Sequence, residues 1–574
     1  MRIISGLLAL VLGIAALLGG IGLQTIWAPP QTLTAEVADQ PAEAPLTVIT
    51  GEFAEVDEEP VDYTLVGDGE YTVMLGRERD IRAWIGDAAH NTVTGIETDV
   101  ADGEAPRLMV EHTEGETPVP NPIGSDLWIE THTVSGTLEQ RWTLPEEDQT
   151  ALLVAVDGTA PAPTEMTVTW TNRVGESPWI LPLLIIGPVL ILLGLALLAW
   201  ALLKRRRDHG GGPAHRSSST GSQPPAPRTA PRGTGSGSTA HRRTAVRGAA
   251  AGLMVTGLLA PSAAVATPAS SGTEGHIPVL VDQQLERILE QVSRGVAAAD
   301  KDADREALKE RVGGRAAAMR SVNYRNQSID DSLLDPAPVA AGPILAAAVS
   351  EDPAFPRTLV AVTEGEGNDT PQLLLMQQHS ARSQYHLRYA VPMTPGAELA
   401  GATVDQPGTA VVELDDAEGL VMSPREAVEG TANVLTDADH EFSAKLAPSS
   451  YAQAIQKYQD ELETTAPDAT IRLGREVHDK ESIAVRMPDG SALVFAFVHA
   501  NVNSQPKEAG GKVIASELAQ KIAGESSNEI TTALFMRFYE TMVIHVPADS
   551  AEGEAARVSL VGFEDELYKA SYLD

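Results

Sequence analysis

The sequence predicts a membrane-anchored multi-domain protein: an all-β sandwich followed by tandem α+β units, with two to three transmembrane helices. Three observations predict this class. The chain has three long apolar stretches without charges, a Val-, Thr- and Trp-rich region between the first two, and a region after the third in which helices precede strands twice. At 574 residues the chain exceeds what one hydrophobic core accommodates, so several folded units are expected.

Residues 1–28 are predicted to be a transmembrane anchor. The run from residue 3 to residue 23 carries no charge, and a helix of about 20 residues spans the roughly 30 Å of a bilayer core. A cleaved signal peptide is the alternative. The exit "GLQTIWAPP" lacks a small-x-small cleavage site and places Trp27 at the expected interface, which favours an uncleaved anchor.

Residues 179–203 are predicted to be a transmembrane helix. The segment reads "WILPLLIIGPVLILLGLALLAWALL", carries no charge and has Trp179 and Trp200 near its ends. Lys204 and three arginines follow at once. Aromatic residues at both interfaces and basic residues at one end are typical of a helix that crosses a membrane.

Residues 204–248 are predicted to be a disordered basic linker in the cytoplasm. Gly, Ser, Pro, Thr and Arg dominate, so the segment cannot bury a core. The segment contains Lys204, several arginines and a single acidic residue, Asp208. Such basic clusters are retained on the cytoplasmic side of a membrane. The charge would either attract anionic lipid headgroups or act only as a topology determinant.

Residues 249–267 form a third apolar segment that is predicted to be a short span or an internal signal peptide. It follows the basic stretch "HRRTAVRG" and ends in the A-x-A sequence Ala264-Val265-Ala266. Its apolar run is short for a stable span, and cleavage after Ala266 remains the alternative. In both cases the chain beyond it leaves the cytoplasm, which predicts a multi-pass plasma-membrane protein with both large domains outside.

The overall composition excludes some classes of function. The net charge is −37, so the folded parts lack the clustered cations that nucleic-acid binding requires. Cysteine is absent, which excludes disulfides, thiolate zinc sites and a cysteine nucleophile. The partners that we expect are membrane lipids and other envelope proteins.

Residues 31–178 are predicted to be an exported β-sandwich of about eight strands. Short segments such as "DLWIETHTV", "MTVTWTN" and "DIRAWIG" are read as strands, and helical periodicity is missing. Four tryptophans could stack on a carbohydrate, but packing in the core is the favoured interpretation because sandwiches bury their large aromatic residues. They are Trp84, Trp128, Trp142 and Trp170.

Residues 275–420 and 421–574 are predicted to be two α+β units. The segment "LVDQQLERILEQVSRGVAAA" has one apolar helical stripe, "DREALKERVGGRAAAMRSV" is read as a second helix, and strand-like runs follow. The order then recurs after "SPREAVEGTANVLTD" and "SSYAQAIQKYQDELETT". The stripe consists of Leu280, Leu285, Ile288, Leu289, Val292 and Val296.

This element order, with phrases such as "LLLMQQHSARSQYHLRYAVPMTPG", resembles the cystatin-like cone fold of the nuclear-transport-factor-2-like superfamily. The whole layout is similar to actinobacterial envelope membrane proteins with two exported regions. The first resemblance implies a curved sheet with helices on one face and an interior cavity. That superfamily includes both enzymes and non-catalytic modules, so the resemblance does not specify a function.

A search for catalytic motifs predicts no catalytic residue, cofactor or metal site. Asp300, Asp302 and Asp304 match the D-x-D-x-D start of a calcium-binding loop. The sixth and twelfth positions of that loop are arginines here and not the required glycine and glutamate. Asp437 to His440 resembles a glycosyltransferase D-x-D sequence, but no nucleotide-binding pattern surrounds it. No H-E-x-x-H, G-x-S-x-G or P-loop sequence occurs.

One strand suggests a ligand pocket. "FVHANVN" places His499, Asn501 and Asn503 on one face, which would line the interior of a cone fold. A hydrogen-bonded interior histidine is the alternative, because no acid partner is evident.

The predicted function is that of a non-enzymatic cell-envelope protein that presents two exported domains for interaction or assembly. Two alternatives remain open. The first is a binder of a small apolar or glycolipid ligand in the cone-fold cavity, and the second is an enzyme or accessory factor of envelope glycan metabolism.

Overall fold

The computed structural model divides the chain into two compact units, one with the residues around the first two apolar segments and one with the rest. The predicted linker beyond residue 207 and the third apolar segment, residues 249–267, lie outside the described residues. The structure describes residues 2–28, 30–56, 60–100, 104–142, 150–172, 177–207, 279–397 and 408–573.

The helices have the following bounds: α1 (Arg2–Gln24), α2 (Glu78–Ile85), α3 (Ile180–Arg207), α4 (Asp282–Asp302), α5 (Arg305–Leu308), α6 (Gly314–Ile329), α7 (Pro424–Thr436), α8 (Ser450–Thr465) and α9 (Glu517–Ala523). The strands before α3 are β1 (Thr32–Val37), β2 (Leu46–Thr50), β3 (Val61–Arg77), β4 (His90–Glu97), β5 (Arg107–Thr113), β6 (Glu130–Trp142), β7 (Thr150–Ala155) and β8 (Glu165–Thr171). The later strands are β9 (Ile344–Val349), β10 (Arg357–Thr363), β11 (Gln372–Gln378), β12 (His386–Pro392), β13 (Ala410–Val412), β14 (Ala469–Val477), β15 (Ile483–Arg486), β16 (Ala492–Pro506), β17 (Val513–Ile514), β18 (Glu529–Ile530), β19 (Ala533–Val546) and β20 (Ser559–Leu573).

Helices α1 and α3 pack together through glycines. A Cβ atom on Gly13 would lie 2.7 Å from the backbone nitrogen of Ile191, and one on Gly194 would lie 2.8 Å from that of Leu10. Only glycine permits two helix backbones to approach so closely, and small residues of this kind mediate helix packing in membranes. The outer faces carry exposed apolar side chains such as Leu8. Both helices are long and apolar enough to span a membrane.

Strands β1 to β8 form one sheet that closes on itself. Its order is β6-β3-β7-β2-β4-β5-β1-β8, and an additional pairing of β3 with β8 completes a barrel-like ring. The long strand β3 makes the closure possible, because Asp62 to Val66 pairs with β8 whereas Thr72 to Arg77 pairs with β7. The predicted two-sheet sandwich is therefore corrected to a closed sheet. Alternation along a strand identifies its buried face but not its neighbours.

The segment "DIRAWIG" is a helix and not the predicted strand. It belongs to α2, which buries Asp80, Ile81, Trp84 and Ile85, a spacing typical of one helical face. The alternation in this segment is too short to distinguish the two periods. The four tryptophans of the barrel are all buried, in agreement with the favoured interpretation of core packing.

The C-terminal domain, residues 279–573, stacks its elements in four layers. Helix α4 covers one face of the sheet β12-β11-β10-β9, where Ile288 contacts Leu374 in a common core. The other face of this sheet carries Leu375, which packs with Phe495 of the second sheet. The second sheet has the order β13-β15-β16-β19-β20, with β14 beside β16, and helices α7 and α8 cover its far side around Val494. Helix α6 also reaches the second sheet from the other side, where Asn323 and Asn326 donate hydrogen bonds to Glu566 of β20.

Most elements of this domain agree with the sequence-based predictions. The apolar stripe of α4 is buried, and the strand-like runs form β10 to β12, β14 to β16, β19 and β20. The predicted second helix is split into α5 and α6 at Gly313–Gly314, where Gly314 has a φ of +54° that favours glycine. Strands β9 and β13 and helix α9 were not predicted. The resemblance to a cystatin-like cone stays a prediction.

A buried carboxylate joins the barrel to the C-terminal domain. Asp126, which precedes β6, receives two hydrogen bonds from Arg311, with Nη1–Oδ2 at 2.7 Å and Nη2–Oδ1 at 3.1 Å. The backbone nitrogen of Tyr385 donates a third, at 2.7 Å. The side chain of Asp126 is inaccessible to solvent, and that of Arg311 is 7% exposed. The amide of Gln284 in α4 also donates to the backbone oxygen of Asp126.

A second buried ion pair crosses the same interface. Asp80 of α2 lies 2.5 Å from the Nη2 atom of Arg357 in β10, and both side chains are at most 2% exposed. Arg382 follows β11 and donates hydrogen bonds to the backbone oxygens of Trp84 and Ile85, which end α2. The barrel and the C-terminal domain therefore share one interface with charges buried on both sides.

Asp126→Ala should destabilise the compact unit strongly. The substitution leaves the Arg311 guanidinium buried without its partner, and loss of one member of a buried pair costs about 3–5 kcal/mol. Urea unfolding of the full-length chain measures this effect. Asp62→Ala is the control, because Asp62 and Arg141 are both more than half exposed and such pairs contribute about 1 kcal/mol or less. Equal losses in the two variants would contradict the role of the buried pair.

Candidate ligand-binding cavity

A cavity lies between α8 and the second sheet of the C-terminal domain. Its volume is about 280 Å³. The helix begins at Ser449, whose hydroxyl accepts a hydrogen bond from the backbone nitrogen of Ala452, and it presents one stripe of residues to the sheet. The stripe consists of Tyr451, Ile455, Tyr458, Gln459 and Leu462. Helix and sheet together form a concave site with a mainly apolar wall.

The floor of the cavity comes from three adjacent strands. Leu473 of β14 pairs with Val502 of β16, and Ala500 of β16 pairs with Phe538 of β19. Residues two apart on a strand share a face, so these side chains lie on the side of the sheet that α8 covers. The small side chain of Ala500 leaves space beneath the helix.

An ion pair between Arg475 and Glu540 forms the polar part of the cavity floor. The Nε atom of Arg475 lies 2.8 Å from Oε2 of Glu540, and its Nη2 atom lies 2.9 Å from Oε1. Arg475 also donates to the backbone oxygen of Leu435 at the end of α7. Both charged side chains are at most 8% exposed. A bidentate pair that is held in this way has little charge left for a ligand.

A second carboxylate lines the cavity beside this pair. Asp565 of β20 is the register partner of Glu540 and keeps an accessible surface towards the cavity. Desolvation by the surrounding protein, followed by the charges of Glu540 and Glu566, raises the pKa of Asp565 to about 6. Asp565 is therefore mostly ionised at neutral pH and adds a negative charge to a largely apolar site.

The residues on either side of Asp565 point to the opposite face of the sheet. Glu566 accepts hydrogen bonds from Asn323 and Asn326 of α6, at 2.6 and 3.2 Å. Glu564 is largely buried, and desolvation raises its pKa to about 7. Three consecutive acidic residues thus contribute to two different environments.

The three residues predicted to line a pocket lie mainly on that opposite face. Asn501 is among the residues around the cavity, but its side-chain oxygen accepts a hydrogen bond from Arg537 at 2.8 Å. The side-chain oxygen of Asn503 is buried without a hydrogen-bond partner. His499 packs against aromatic rings and does not line the cavity. The cavity uses the alternate residues of the same strand, Ala500 and Val502.

His499 belongs to a cluster of rings at the edge of β14. Its Nδ1 atom lies 2.8 Å from Nε2 of His478, and its ring stacks on that of Tyr539 with centroids 5.2 Å apart. Burial, followed by the charge of His478, lowers the pKa of His499 to about 4. His499 is therefore neutral at physiological pH. The carboxylate of Glu476 lies close enough to the two histidines for all three to contact one metal ion.

The aspartates that resembled metal motifs have local structural roles. Asp300 accepts hydrogen bonds from Arg320 and Tyr324, and Asp304 caps the N-terminus of α5. Asp437 ends α7 and accepts a hydrogen bond from the backbone nitrogen of Asp439. None of these four residues belongs to a group of metal ligands within the part of the chain that the structure describes.

Sequence reasoning missed the charged residues of the cavity. Arg475 lies beside Glu476 in "IRLGREV", whereas Glu540 is the single charged residue of "FYETMVI". Charged residues are almost never fully buried unless they are paired, so the lone charge of Glu540 in an apolar strand was the available signal. Arg475 in β14 and Glu540 in β19 come together only because both strands pair with β16.

Comparison with known proteins gives one match. The model of a family described as "Domain of unknown function (DUF8094)" matches residues 276–571, more than half of the chain. All residues that line the cavity fall within the matched range. No curated protein and no solved structure matches the chain.

Glu564→Gln should stabilise the protein above neutral pH. The native state retains the Glu564 proton up to about pH 7, whereas the ordinary pKa is 4.5, so native stability falls as the pH rises between these values. The substitution removes this loss and should raise the free energy of unfolding at pH 8 by about 1–3 kcal/mol. Urea unfolding at pH 5 and pH 8 measures the difference. Glu508→Gln, at an exposed position, should leave the pH profile unchanged.

Proposed function

We propose that this chain, which belongs to the DUF8094 family, is a non-enzymatic cell-envelope membrane protein that binds a small apolar ligand in the cavity beneath α8. The cavity itself is the observation that carries the proposal. Ligand sites are typically concave and mainly apolar, with a few polar groups that fix orientation. The apolar stripe of α8, the floor around Ala500 and the carboxylate of Asp565 meet this description.

The charges of the cavity favour one class of ligand. Arg475 and Glu540 neutralise each other, so Asp565 supplies the remaining charge. Asp565 makes no ion pair within the described residues. A ligand with an apolar body and a cationic or hydrogen-bond-donating end would satisfy this carboxylate. An anionic ligand of the same shape would meet repulsion.

The size of the cavity also restricts the ligand. At about 280 Å³ it is smaller than most sites for drug-sized molecules, which have roughly 300–1,000 Å³. This volume favours a single ring or a short alkyl chain over a complete glycolipid. A glycolipid would have to leave its sugar outside, next to the exposed ring of Tyr458.

Presentation of the exported domains for interaction or assembly is the second candidate function. The observation that favours it is the interface between the barrel and the C-terminal domain. Its buried ion pairs hold the two domains as one compact unit. An envelope protein that contacts this unit would meet a composite surface and not two independent modules.

We further propose that both domains lie outside the cytoplasm. Helix α1 precedes the barrel in the sequence and α3 follows it. If both helices span the plasma membrane, the residues after α3 are on the cytoplasmic side. The C-terminal domain shares buried ion pairs with the barrel and must reach the same side of the membrane. The chain therefore has to cross once more between residues 208 and 278. The apolar segment 249–267 is the stretch suited to this crossing, whether it is retained or cleaved.

Phenylethylamine should bind the full-length chain more tightly than 3-phenylpropionate, because the two probes share a shape but carry opposite charges. Asp565→Asn should reduce the affinity for the amine and not that for the acid. The affinity for the amine should also rise as the pH increases through about 6, where Asp565 ionises. Isothermal titration calorimetry in lipid nanodiscs measures all three effects.

Asp468→Asn is the matched control, because Asp468 is an exposed aspartate outside the cavity lining. It should leave amine binding unchanged. Ala500→Trp fills the floor of the cavity and should abolish binding. Equal affinity for the amine and the acid, or amine binding that survives in Ala500→Trp, would contradict a ligand site at this position.

Single cysteines should report the proposed topology, because the natural chain has none. In intact cells a membrane-impermeant maleimide should label Ser135→Cys in the barrel and Ser526→Cys in the C-terminal domain, both at exposed positions. Ser218→Cys in the linker should be labelled only after the cells are permeabilised. Ser504→Cys, at a buried position, is the negative control. Protection of position 526 with labelling of position 135 would rule out the third crossing.

A further inference from the structure

Three side chains that can bind a metal ion converge on the face of the second sheet opposite the cavity. Glu476 lies in β14, His478 follows directly after that strand, and His499 lies in β16. Their candidate ligand atoms all lie within 4.8 Å of one another. This arrangement does not involve the residues that line the cavity.

The sheet itself holds these side chains together. Glu476 is the register partner of His499, and the backbone nitrogen of His478 donates to the oxygen of Phe497 on the same neighbouring strand. Residues two apart on an extended chain project to the same side, so Glu476 and His478 both face His499. Backbone hydrogen bonds between β14 and β16 therefore fix the relative positions of the three ligands.

We propose that Glu476, His478 and His499 bind a divalent transition-metal ion, with zinc as the probe. Two imidazoles and one carboxylate form a donor set that zinc accepts, with bonds of about 2.0–2.2 Å. Tetrahedral bonds of that length separate two nitrogens by about 3.3 Å. The present distance between His478 Nε2 and His499 Nδ1 is 2.8 Å. A small rotation of either imidazole ring would widen this distance. The hydrogen that now lies between the two nitrogens would move to the other nitrogen of its own ring, so that both facing nitrogens could bind the ion.

Aromatic packing restricts the ring of His499. Tyr539 stacks on it at an interplanar angle of 9°, and Phe497 packs edge-on at 80°, each with its centroid 5.2 Å away. A ring held on two sides loses little conformational freedom when it binds a metal ion. This packing lowers the entropic cost of metal binding by His499.

Nearby positive charges oppose cation binding, but they have partners. Arg315 lies over the ring of Phe497 and pairs with Glu481 at 3.2 Å. Arg537 donates its Nε hydrogen to Asn501. The carboxylate of Glu476 contributes the negative charge at the site.

The site would have an open coordination position. Three protein ligands leave the fourth position of a tetrahedral ion to water or to an exogenous ligand, whereas closed structural zinc sites use four. Glu476 is exposed and both histidines are partly accessible, so solvent reaches the site. The bound ion would therefore accept a further small donor molecule.

Zinc binding to the full-length chain, purified without a histidine tag and placed in nanodiscs, tests the proposal. Calorimetry should show one high-affinity equivalent. Cobalt in its place should give the visible absorption of a four-coordinate ion. The double variant His478→Gln/His499→Gln should lose more than about 100-fold in affinity, because losing direct ligands costs more than the roughly 10–100-fold for an outer-shell partner. Glu476→Gln, at an exposed position, replaces a charged ligand with a neutral amide and should weaken binding more than about tenfold without disturbing the fold.

His132→Gln is the matched control. His132 is an exposed histidine of the barrel that lies beside Glu130, and its loss should leave the high-affinity equivalent intact. Circular dichroism verifies that each variant is folded. The proposal is overturned if the natural chain binds no stoichiometric zinc, if the double variant binds as tightly as the natural chain, or if Glu476→Gln has no effect on affinity.

Discussion

Two buried carboxylates of the barrel determine how the barrel and the C-terminal domain are assembled. Asp80 and Asp126 are almost completely inaccessible, and their strongest ion pairs are with Arg357 and Arg311 of the C-terminal domain. An isolated carboxylate in the same position would lose several kcal/mol of hydration without compensation. The barrel can therefore bury this face only against a surface that supplies two arginines in matching positions. This requirement fixes the orientation of the two domains in their interface.

The second sheet of the C-terminal domain serves two candidate sites, one on each face. Ala500 and Val502 project towards α8 and form the floor of the cavity, whereas His499 between β14 and β19 projects to the other side. The alternation of side chains along β16 thus separates an apolar environment from a polar one by a single residue. Both sites rest on the paired strands β14 and β16, so their geometry depends on the backbone hydrogen bonds of the sheet and not on flexible loops.

Local periodicity was sufficient to predict α4, α7, α8 and most strands of the C-terminal domain. It failed at α2, where the few residues around Trp84 fit both a strand and a helix. It also failed for barrel closure and for the cavity, since both depend on strand register. Ala500 meets Phe538 and Arg475 only because β16 pairs with β19 and β14, and no short segment contains that information. The sequence predicts that His499, Asn501 and Asn503 share one face of β16, but it does not contain the information on which face the helix covers.

The long separation between the paired charges has a consequence for biosynthesis. Asp126 and Arg311 are 185 positions apart, and Asp80 and Arg357 are 277 positions apart. Ribosomes make chains from the N-terminus, so the barrel is synthesised well before its arginine partners exist. During that interval its acidic face has to remain hydrated, and the newly made barrel is an incomplete folding intermediate. Maturation then ends with a docking step in which the C-terminal domain supplies Arg311 and Arg357 to this face.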